Sequence, residues 1–392
     1  MFNTKKFSNE SVILIYTAFE DFLPYFNNEF DISKCKIDVV NNEDGSITKT
    51  VKVIDNEYPT IINFKGKDTL LRIDFLVADT LVSMENMFNG CKMLQHVNCT
   101  KWNTRKVVNT SFMFNECESL EKIDASHWCM HKVTTIDSMF RKCKSLKNVN
   151  VANWDTTNTQ SMNRVFAGCS NLESIDVSRW DTINVSDMKM LFHSCKKLKH
   201  IDVSRWKVRK VVDMSYMFCE CENIEYIDIS RWRADIVNDI SKMFYGCKML
   251  KEMNLSKLRA YKILYMTSLF ENCIKLQKVD LSNLYIPDIK RMNRLFVNCE
   301  ELREINMSHI VVSEIYNYES IFGDTLDEYC ILLEKLTLYD NPISFIKMIV
   351  RQLCGTIDKD DEHFIYINDE EAKSIKLYKY WEFKFIEKGV DK

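Results

Sequence analysis

Apolar residues recur along this chain with a period that does not drift. A phenylalanine returns every 26 residues, at Phe88, Phe114, Phe140, Phe166, Phe192, Phe218, Phe244, Phe270, Phe296 and Phe322. A cysteine follows three residues later in nine of the ten cases, from Cys91 to Cys299. Fourteen residues after each Phe comes Trp102, Trp128, Trp154, Trp180, Trp206 and Trp232, then the smaller Leu258, Leu284 and Ile310. A period kept without insertion stacks each unit on the last in one register, which predicts a solenoid.

Within the unit from Asp187 to Trp206, Met188, Leu191, Phe192 and Cys195 fall at i, i+3, i+4 and i+7, the spacing of one face of a short helix. Asp187 stands where an N-cap belongs, and Ser83, Asn109, Thr135, Ser161, Asp213 and Asp239 hold the equivalent place. Leu198, Ile201 and Val203 then follow an LxxLxL spacing, which predicts a strand with alternate residues turned inward. Trp206 re-enters the core at a turn, and a last apolar residue such as Val185, Val211 or Val237 pins the return. The expected fold class is therefore α/β: a right-handed solenoid with one parallel sheet, short helices opposite it and non-repeat caps at both ends. No unit folds alone, because its helix is too short to persist in water. The Trp column is the expected main stabilising stripe of the first six repeats, and its loss after Trp232 predicts different packing in the C-terminal third.

Three segments follow: an N-terminal cap over 1–63, the solenoid over 64–340 and a C-terminal cap over 341–392. Phe64, Leu70, Ile73 and Phe75 reproduce the repeat spacing without Cys or Trp and form a degenerate first repeat. Before it, residues 8–25 predict an amphipathic helix. Lys36–Val40 and Thr48–Ile54, joined through Asn-Glu-Asp-Gly, predict a hairpin. After Phe322 a five-residue slip brings Cys330, Leu333, Leu336 and Leu338 back into the pattern. Asn341-Pro342 then starts a helix to about Leu353, and Lys376–Ile386 alternates as a strand or hairpin arm.

Composition narrows the function classes. A net charge of -3 over 392 residues gives no electrostatic reason to expect nucleic acid. No stretch of 18 apolar residues exists, so no membrane span is expected. The apolar run from Ser11 to Phe19 lies between Glu10 and Glu20 without a basic flank, so no secretory signal is expected either. Of the 15 cysteines, nine occupy one column. Equivalent sites in adjacent turns lie about 4.8 Å apart, too far for the Cβ spacing of a disulfide. Reduced, buried thiols and an intracellular location are expected. Cys129 and Cys219 fall outside the column and are expected to be exposed.

Three polar columns flank the predicted strand. Eight residues after each Phe lie His96, Lys122, Asn148, Ser174, His200, Tyr226, Glu252, Lys278 and Glu304, which vary freely. A core column is uniform and a recognition column is not, so these nine are the candidate partner-binding residues. Two further on is a column of Asp and Asn, from Asn98 to Asn306. Three beyond that are Lys101, His127, Asn153, Arg179, Arg205, Arg231, Lys257, Asn283 and His309. Asp176, Asp202 and Asp228 each have an arginine three residues on, and pairing between these two columns is the expected relief of like-charge stacking. A linear column of thiols gives no four-ligand cluster for zinc. The seven histidines are scattered, and neither a phosphate loop nor a nucleophile elbow occurs. A non-enzymatic protein with no cofactor and no metal is expected.

The consensus M-F-x-x-C-x-x-L-x-x-I-D-V-S-x-W, clearest at Met188, Phe192, Cys195, Leu198, Ile201, Asp202, Val203, Ser204 and Trp206, resembles the BspA-like leucine-rich repeat. Such repeats occur in bacterial surface lipoproteins, in protists and in large DNA viruses, including tryptophan-repeat families. The resemblance covers about residues 64–340. It implies a leucine-rich-repeat-like solenoid and an interaction or adhesion protein without enzyme activity. Lys, Asn and Ile richness fits an A+T-rich genome, such as that of a large DNA virus. The expectation is an intracellular, monomeric scaffold, in the host cytoplasm if the source is viral, that binds a protein of unknown identity through its sheet face. The alternative is a structural or adhesion component of a virus particle or cell surface.

Overall fold

A helix requires each N–H to reach back four residues, and the backbone before each cysteine is wired otherwise. The computed structural model describes residues 11–27, 30–53, 58–76, 79–100, 102–312, 321–322, 333, 335–353, 364–367 and 382–385. In it, Met87, Asn89 and Cys91 donate to carbonyls three residues back, on Met84, Asn86 and Phe88. The intervening Met84, Asn86, Phe88 and Gly90 donate to Asn109, Ser111, Met113 and Asn115 of the next turn, at 2.8–2.9 Å. Every N–H in the run thus finds a partner, alternately within its own turn and on the following one. The same alternation holds from Phe112 to Glu116 and from Met214 to Glu220.

The residues two before and two after each Phe from Phe88 to Phe296 adopt positive φ, as at Lys242 (56°) and Gly246 (68°). A positive φ at the third position of a four-residue turn is the mark of a type II turn. The predicted short helices are therefore corrected: the run is a chain of tight turns, and among the described residues no repeat contains a helix. The physical reason is that a two-turn helix is marginal alone, whereas a neighbouring turn offers an acceptor to every second N–H. The cap residues keep their chemistry. Asp187, Asp213 and Asp239 accept the N–H two residues on, at 2.7–2.8 Å, but what they start is a turn run.

The chain divides into two compact units, Met1–Asn184 and Val185–Lys392, each a β-solenoid of such turns. The first unit holds β1 (Ser11–Ala18), β2 (Tyr25–Phe26), β3 (Cys35–Asn41), β4 (Ile47–Val53), β5 (Ile62–Asn63), β6 (Leu70–Leu76), β7 (His96–Val97), β8 (Lys122–Asp124) and β9 (Asn148–Asn150). One sheet runs in the order β3-β4-β1-β6-β7. The expected N-terminal helix is corrected to the strand β1, with residues 8–10 outside the described set. Its sequence SVILIYTA is rich in β-branched and aromatic residues. It lies between β4 and β6, and it reads as an apolar run because side chains on both its faces are buried, Ile13, Leu14, Tyr16, Thr17 and Ala18 among them. The hairpin is found as β3 and β4, with Gly45 at φ 81° in its loop. The degenerate first repeat is also present: β6 pairs in parallel with β7, and Phe64 stacks on Phe88 at 5.7 Å.

The second unit holds β10 (Glu252–Asn254), β11 (Lys278–Asp280), β12 (Glu304–Asn306), β13 (Lys335–Thr337), α1 (Ile343–Leu353), β14 (Phe364–Ile367) and β15 (Glu382–Phe385). These strands form one parallel sheet in chain order. Glu252 aligns with Lys278 and Lys278 with Glu304, the 26-residue step, whereas Glu304 aligns with Lys335, 31 residues on. The five-residue slip is therefore real, although Cys330 lies outside the described residues. The helix after Pro342 is α1, which buries Phe345, Ile346 and Ile349. Of the expected strand 376–386, residues 382–385 form β15 and the others are outside the described set.

The uniform columns fill both cores. Phenylalanine centroids repeat at 5.2–5.7 Å in the first unit and at 5.7–5.9 Å in the second. These distances exceed the ~4.8 Å strand spacing, so the rings are offset, as their quadrupoles favour. Trp102, Trp128, Trp154 and Trp180 stack likewise, as do Trp206 and Trp232. The indole N–H of Trp154, Trp180 and Trp232 donates to a carbonyl 29 residues earlier, which lets an amphipathic ring be buried whole. At roughly 150–250 Å² each, such rings contribute roughly 4–6 kcal/mol of gross hydrophobic stabilisation apiece. Where the column ends, Leu258 and Trp232 border a void of about 10 Å³.

The cysteine column has a hydrogen-bonding role. Within each unit the thiols donate to the Phe carbonyl of the preceding turn, as Cys117 to Phe88 (3.1 Å) and Cys273 to Phe244 (3.0 Å). That carbonyl also accepts the N–H of its own turn's cysteine. No disulfide joins the described cysteines. Burial pushes the Cys91 thiol up to about 12 and those of Cys117, Cys143 and Cys247 well above their ordinary value.

Candidate functional site

Six of the nine variable residues lie in strands β7 to β12, and Ser174, His200 and Tyr226 hold the equivalent places in turns without one, where the chain likewise alternates between outside and core. In the first unit His96, Lys122, Asn148 and Ser174 are exposed. The residue after each, Val97, Ile123, Val149 or Ile175, is buried. In the second unit His200, Tyr226, Glu252 and Lys278 are exposed and Glu304 is half-buried. Lys122 lies opposite Asn148 in register, and Glu252, Lys278, Glu304 and Lys335 form one cross-strand row. Lys278 and Glu304 pair at 3.0 Å, and that carboxylate raises the lysine's pKa. Burial, with Arg72 beside it, pushes the His96 imidazole below its usual range.

The columns on either side of this one are committed to the fold. One residue earlier stand Glu121, Lys147, Glu173, Lys199, Glu225 and Lys251, alternating in sign from turn to turn. Lys147 pairs with Glu121 at 3.1 Å and Lys251 with Glu225 at 3.2 Å. On the other side, Asp202 and Asn254 each accept both the N–H and the hydroxyl of the serine two residues on, at 2.7–3.0 Å. The expected Asp–Arg pairing is corrected here. Asp202 is held below the ordinary carboxylate range first by the Ser204 hydroxyl, and Asp228 first by the Ser230 N–H. Arg205 and Arg231 contribute only after these. A serine two residues away closes a tight Asx turn, and the arginine three away adds its charge to that hold.

Other chemistry is sparse. In the first unit Asn103, His127, Cys129, His131 and Asp155 line a groove of about 690 Å³, with Cys129 Sγ 2.9 Å from His131 Nδ1. Among the described residues no three His, Cys, Asp or Glu side chains converge as a metal site. Cys219, expected at the surface, is buried at 3% exposure, and burial pushes its thiol up to about 12. It follows a Phe directly and shares the core side of the turn run, a placement that the helical spacing concealed. Among the described residues no helix is long and apolar enough to cross a membrane.

A family described as "Mycoplasma protein of unknown function, DUF285" matches residues 64–174, 139–233 and 213–329. The three overlapping matches extend from the degenerate first repeat to the slip after Phe322, which is most of the chain. The chain belongs to the DUF285 family. No curated protein matches it. The DUF285 matches coincide with the stacked turns. The variable strand residues lie inside the DUF285 repeats without being part of what makes them uniform.

Proposed function

We propose that this chain is a non-enzymatic scaffold that binds a partner protein through the variable strand column. One observation carries the proposal. His96, Lys122, Asn148, Ser174, His200, Tyr226, Glu252 and Lys278 are exposed and differ from turn to turn, while the columns beside them are occupied by inter-turn ion pairs and Asx turns. Exposed positions that stability does not specify are those a partner is able to specify. The resemblance to BspA-like repeats, whose members are generally interaction or adhesion proteins, points the same way. So do protonated, buried thiols, which suit a reducing, intracellular setting, namely host cytoplasm if the source is a large DNA virus.

The test is affinity capture of the tagged protein beside a variant charge-reversed at Lys122, Glu252, Lys278 and Glu304. Reversing Glu252, Lys278 and Glu304 together keeps the alternation among those three strands, including the 3.0 Å pair, and Lys335→Glu is added so that residue 304 does not face a like charge. One stoichiometric partner that is lost in the variant supports a strand-face scaffold. Recovery of the protein itself and of particle or surface proteins, unchanged by the reversal, supports a structural or adhesion role and overturns the proposal.

A further inference from the structure

Pairing of a lysine with a carboxylate on a successive turn is the rule on this molecule, although Asp187, Asp213 and Asp239 stack like on like. Lys196, Glu222 and Lys248 form a sign-alternating row at 2.9–3.0 Å, Glu118 pairs with Lys144, and Glu225 with Lys251. The tryptophan edge of the second unit breaks that rule. Arg205, Arg231 and Lys257 occupy one repeat position and Lys207, Arg233 and Arg259 the position two residues on. In each turn a buried residue (Trp206, Trp232 or Leu258) separates the two cations, and Arg231 with Arg233, like Lys257 with Arg259, reach the same groove. The stack of Trp206 on Trp232 fixes the register between the first two of these turns. Neighbouring turns thus bring like charges side by side, an arrangement that is destabilising in itself.

The cations surround a groove of about 570 Å³, and no carboxylate is among the residues lining it. Arg231, Arg233, Lys257 and Arg259 line it together with Tyr261 and Tyr285, which are both exposed. Asp235, 3.7 Å from Arg233, is the acid at its margin, while Asp202 and Asp228 are engaged by Ser204 and Ser230. The corresponding two-residues-on positions of the first unit are Asn103, Cys129, Asp155 and Asp181, so the cationic grid is a property of the second unit and not of the repeat.

We propose that this groove binds an extended acidic segment of a partner protein. An extended peptide presents a side chain to one face about every 6–7 Å, so carboxylates at alternate positions are able to meet successive cations along the groove. Guanidinium groups offer a planar fork that a carboxylate engages with two hydrogen bonds. The tyrosines argue against single-stranded nucleic acid. Their rings meet at 67°, edge to face, and so do not present the parallel platforms on which successive bases stack. The site lies apart from the variable strand column, and its test stands whether or not that column binds anything.

The test is fluorescence anisotropy of the full chain with a labelled peptide of alternating glutamate and serine, about a dozen residues long. The glutamine version of the peptide, a single-stranded oligonucleotide of equal charge and a sulfated oligosaccharide are the competitors. Saturable binding of the glutamate peptide is expected, weakened at about 0.3 M salt and weakened about tenfold or more by Arg233→Glu with Arg259→Glu. Lys106→Glu with Lys132→Glu, the same charge change in the first unit, is expected to leave it unaltered. Arg233→Gln with Arg259→Gln carries the test if the glutamate variant melts early. Failure of the glutamate peptide to bind, equal binding of the glutamine peptide, equal loss in the first-unit variant, or tighter binding of either competitor overturns the proposal.

Discussion

Replacing serine by glycine inside a regular element normally destabilises a protein, and here the opposite is expected. Ser138 and Ser268 are buried and hold φ at 54° and 56°, two residues before Phe140 and Phe270. A left-handed backbone costs a residue with a Cβ about 1–2 kcal/mol, and glycine escapes that cost while losing about 0.5–1 kcal/mol in chain entropy. Each Ser→Gly change should therefore stabilise by about 0.5–1 kcal/mol, and the two together by about 1–2, because separate units act additively. Had the run been helical, each would destabilise by about 0.5 kcal/mol. The converse changes calibrate the scale. A Cβ at Gly246 (φ 68°) meets nothing closer than 3.7 Å, so Gly246→Ala should cost only the backbone strain, about 1 kcal/mol. At Gly168 (φ 80°) the new Cβ lies 3.3 Å from the Lys142 Cα, so Gly168→Ala should cost more. Urea midpoints followed by tryptophan fluorescence at constant m report the differences. Lower midpoints for both serine variants together with higher ones for both glycine variants would refute the turn ladder.

The columns yield three further expectations. Phe244→Ala removes a ring stacked on Phe218 and Phe270 and should destabilise by about 3–5 kcal/mol in the same urea assay; a loss under about 1 kcal/mol would mean that the stack is ornamental. With iodoacetamide near neutral pH, Cys117, Cys143 and Cys247 should be modified only in denaturant, and mass spectrometry showing any of them alkylated in the native protein would contradict their burial. Asp124, Asp202 and Asp228 have folded pKa values depressed below the unfolded ~3.9, so the stability they contribute is present above about pH 4 and is lost as pH falls through their folded values. Ser204→Ala with Ser230→Ala should flatten that acid limb; an unchanged pH profile would show that the serines do not hold these carboxylates.

The stacked columns, the β3–β4 hairpin and the five-residue slip were legible because each is written in side-chain identity at fixed spacing. The turn run was not, since i, i+3, i+4, i+7 places residues on one side of a turn chain as well as of a helix. A partial signal existed: Gly90, Gly168, Gly246, Asn272 and Asn298 all stand two residues after a Phe, where left-handed backbone is easiest. It was masked by Phe112, Arg164 and Met190, which adopt the same φ sign two residues before a Phe. β1 misled for another reason, because a central strand covered on both faces loses the alternation that distinguishes it from a helix. The candidate column eight residues after each Phe was readable as variable. That its neighbours are tied up by Glu–Lys rows and serine-closed Asx turns emerged only from the contacts. The cationic groove escaped because one of its two columns changes sign along the chain, from Asp155 and Asp181 to Lys207, Arg233 and Arg259.

The inter-turn bonds of the turn run all point one way. Phe88 donates to Met113 and Phe114 to Met139 in the first unit, as Phe218 does to Met243 and Phe244 to Leu269 in the second, always from the earlier turn to the later. Along this run each stack is polar, like a magnet cut from a longer bar: where two turns part, the run shows donors on one fresh edge and the matching acceptors on the other, whereas other segments, such as Val108 to Val82 and Ser119 to Lys92, bond from the later turn to the earlier. Such edges are mutually complementary but not self-complementary, so two opened molecules join head to tail rather than face to face, and head-to-tail joining propagates without closing. Transient separation of turns is thus a seed for fibres. Light scattering near the unfolding midpoint should show growth that rises with protein concentration, and its absence there would mean that the parted edges are shielded.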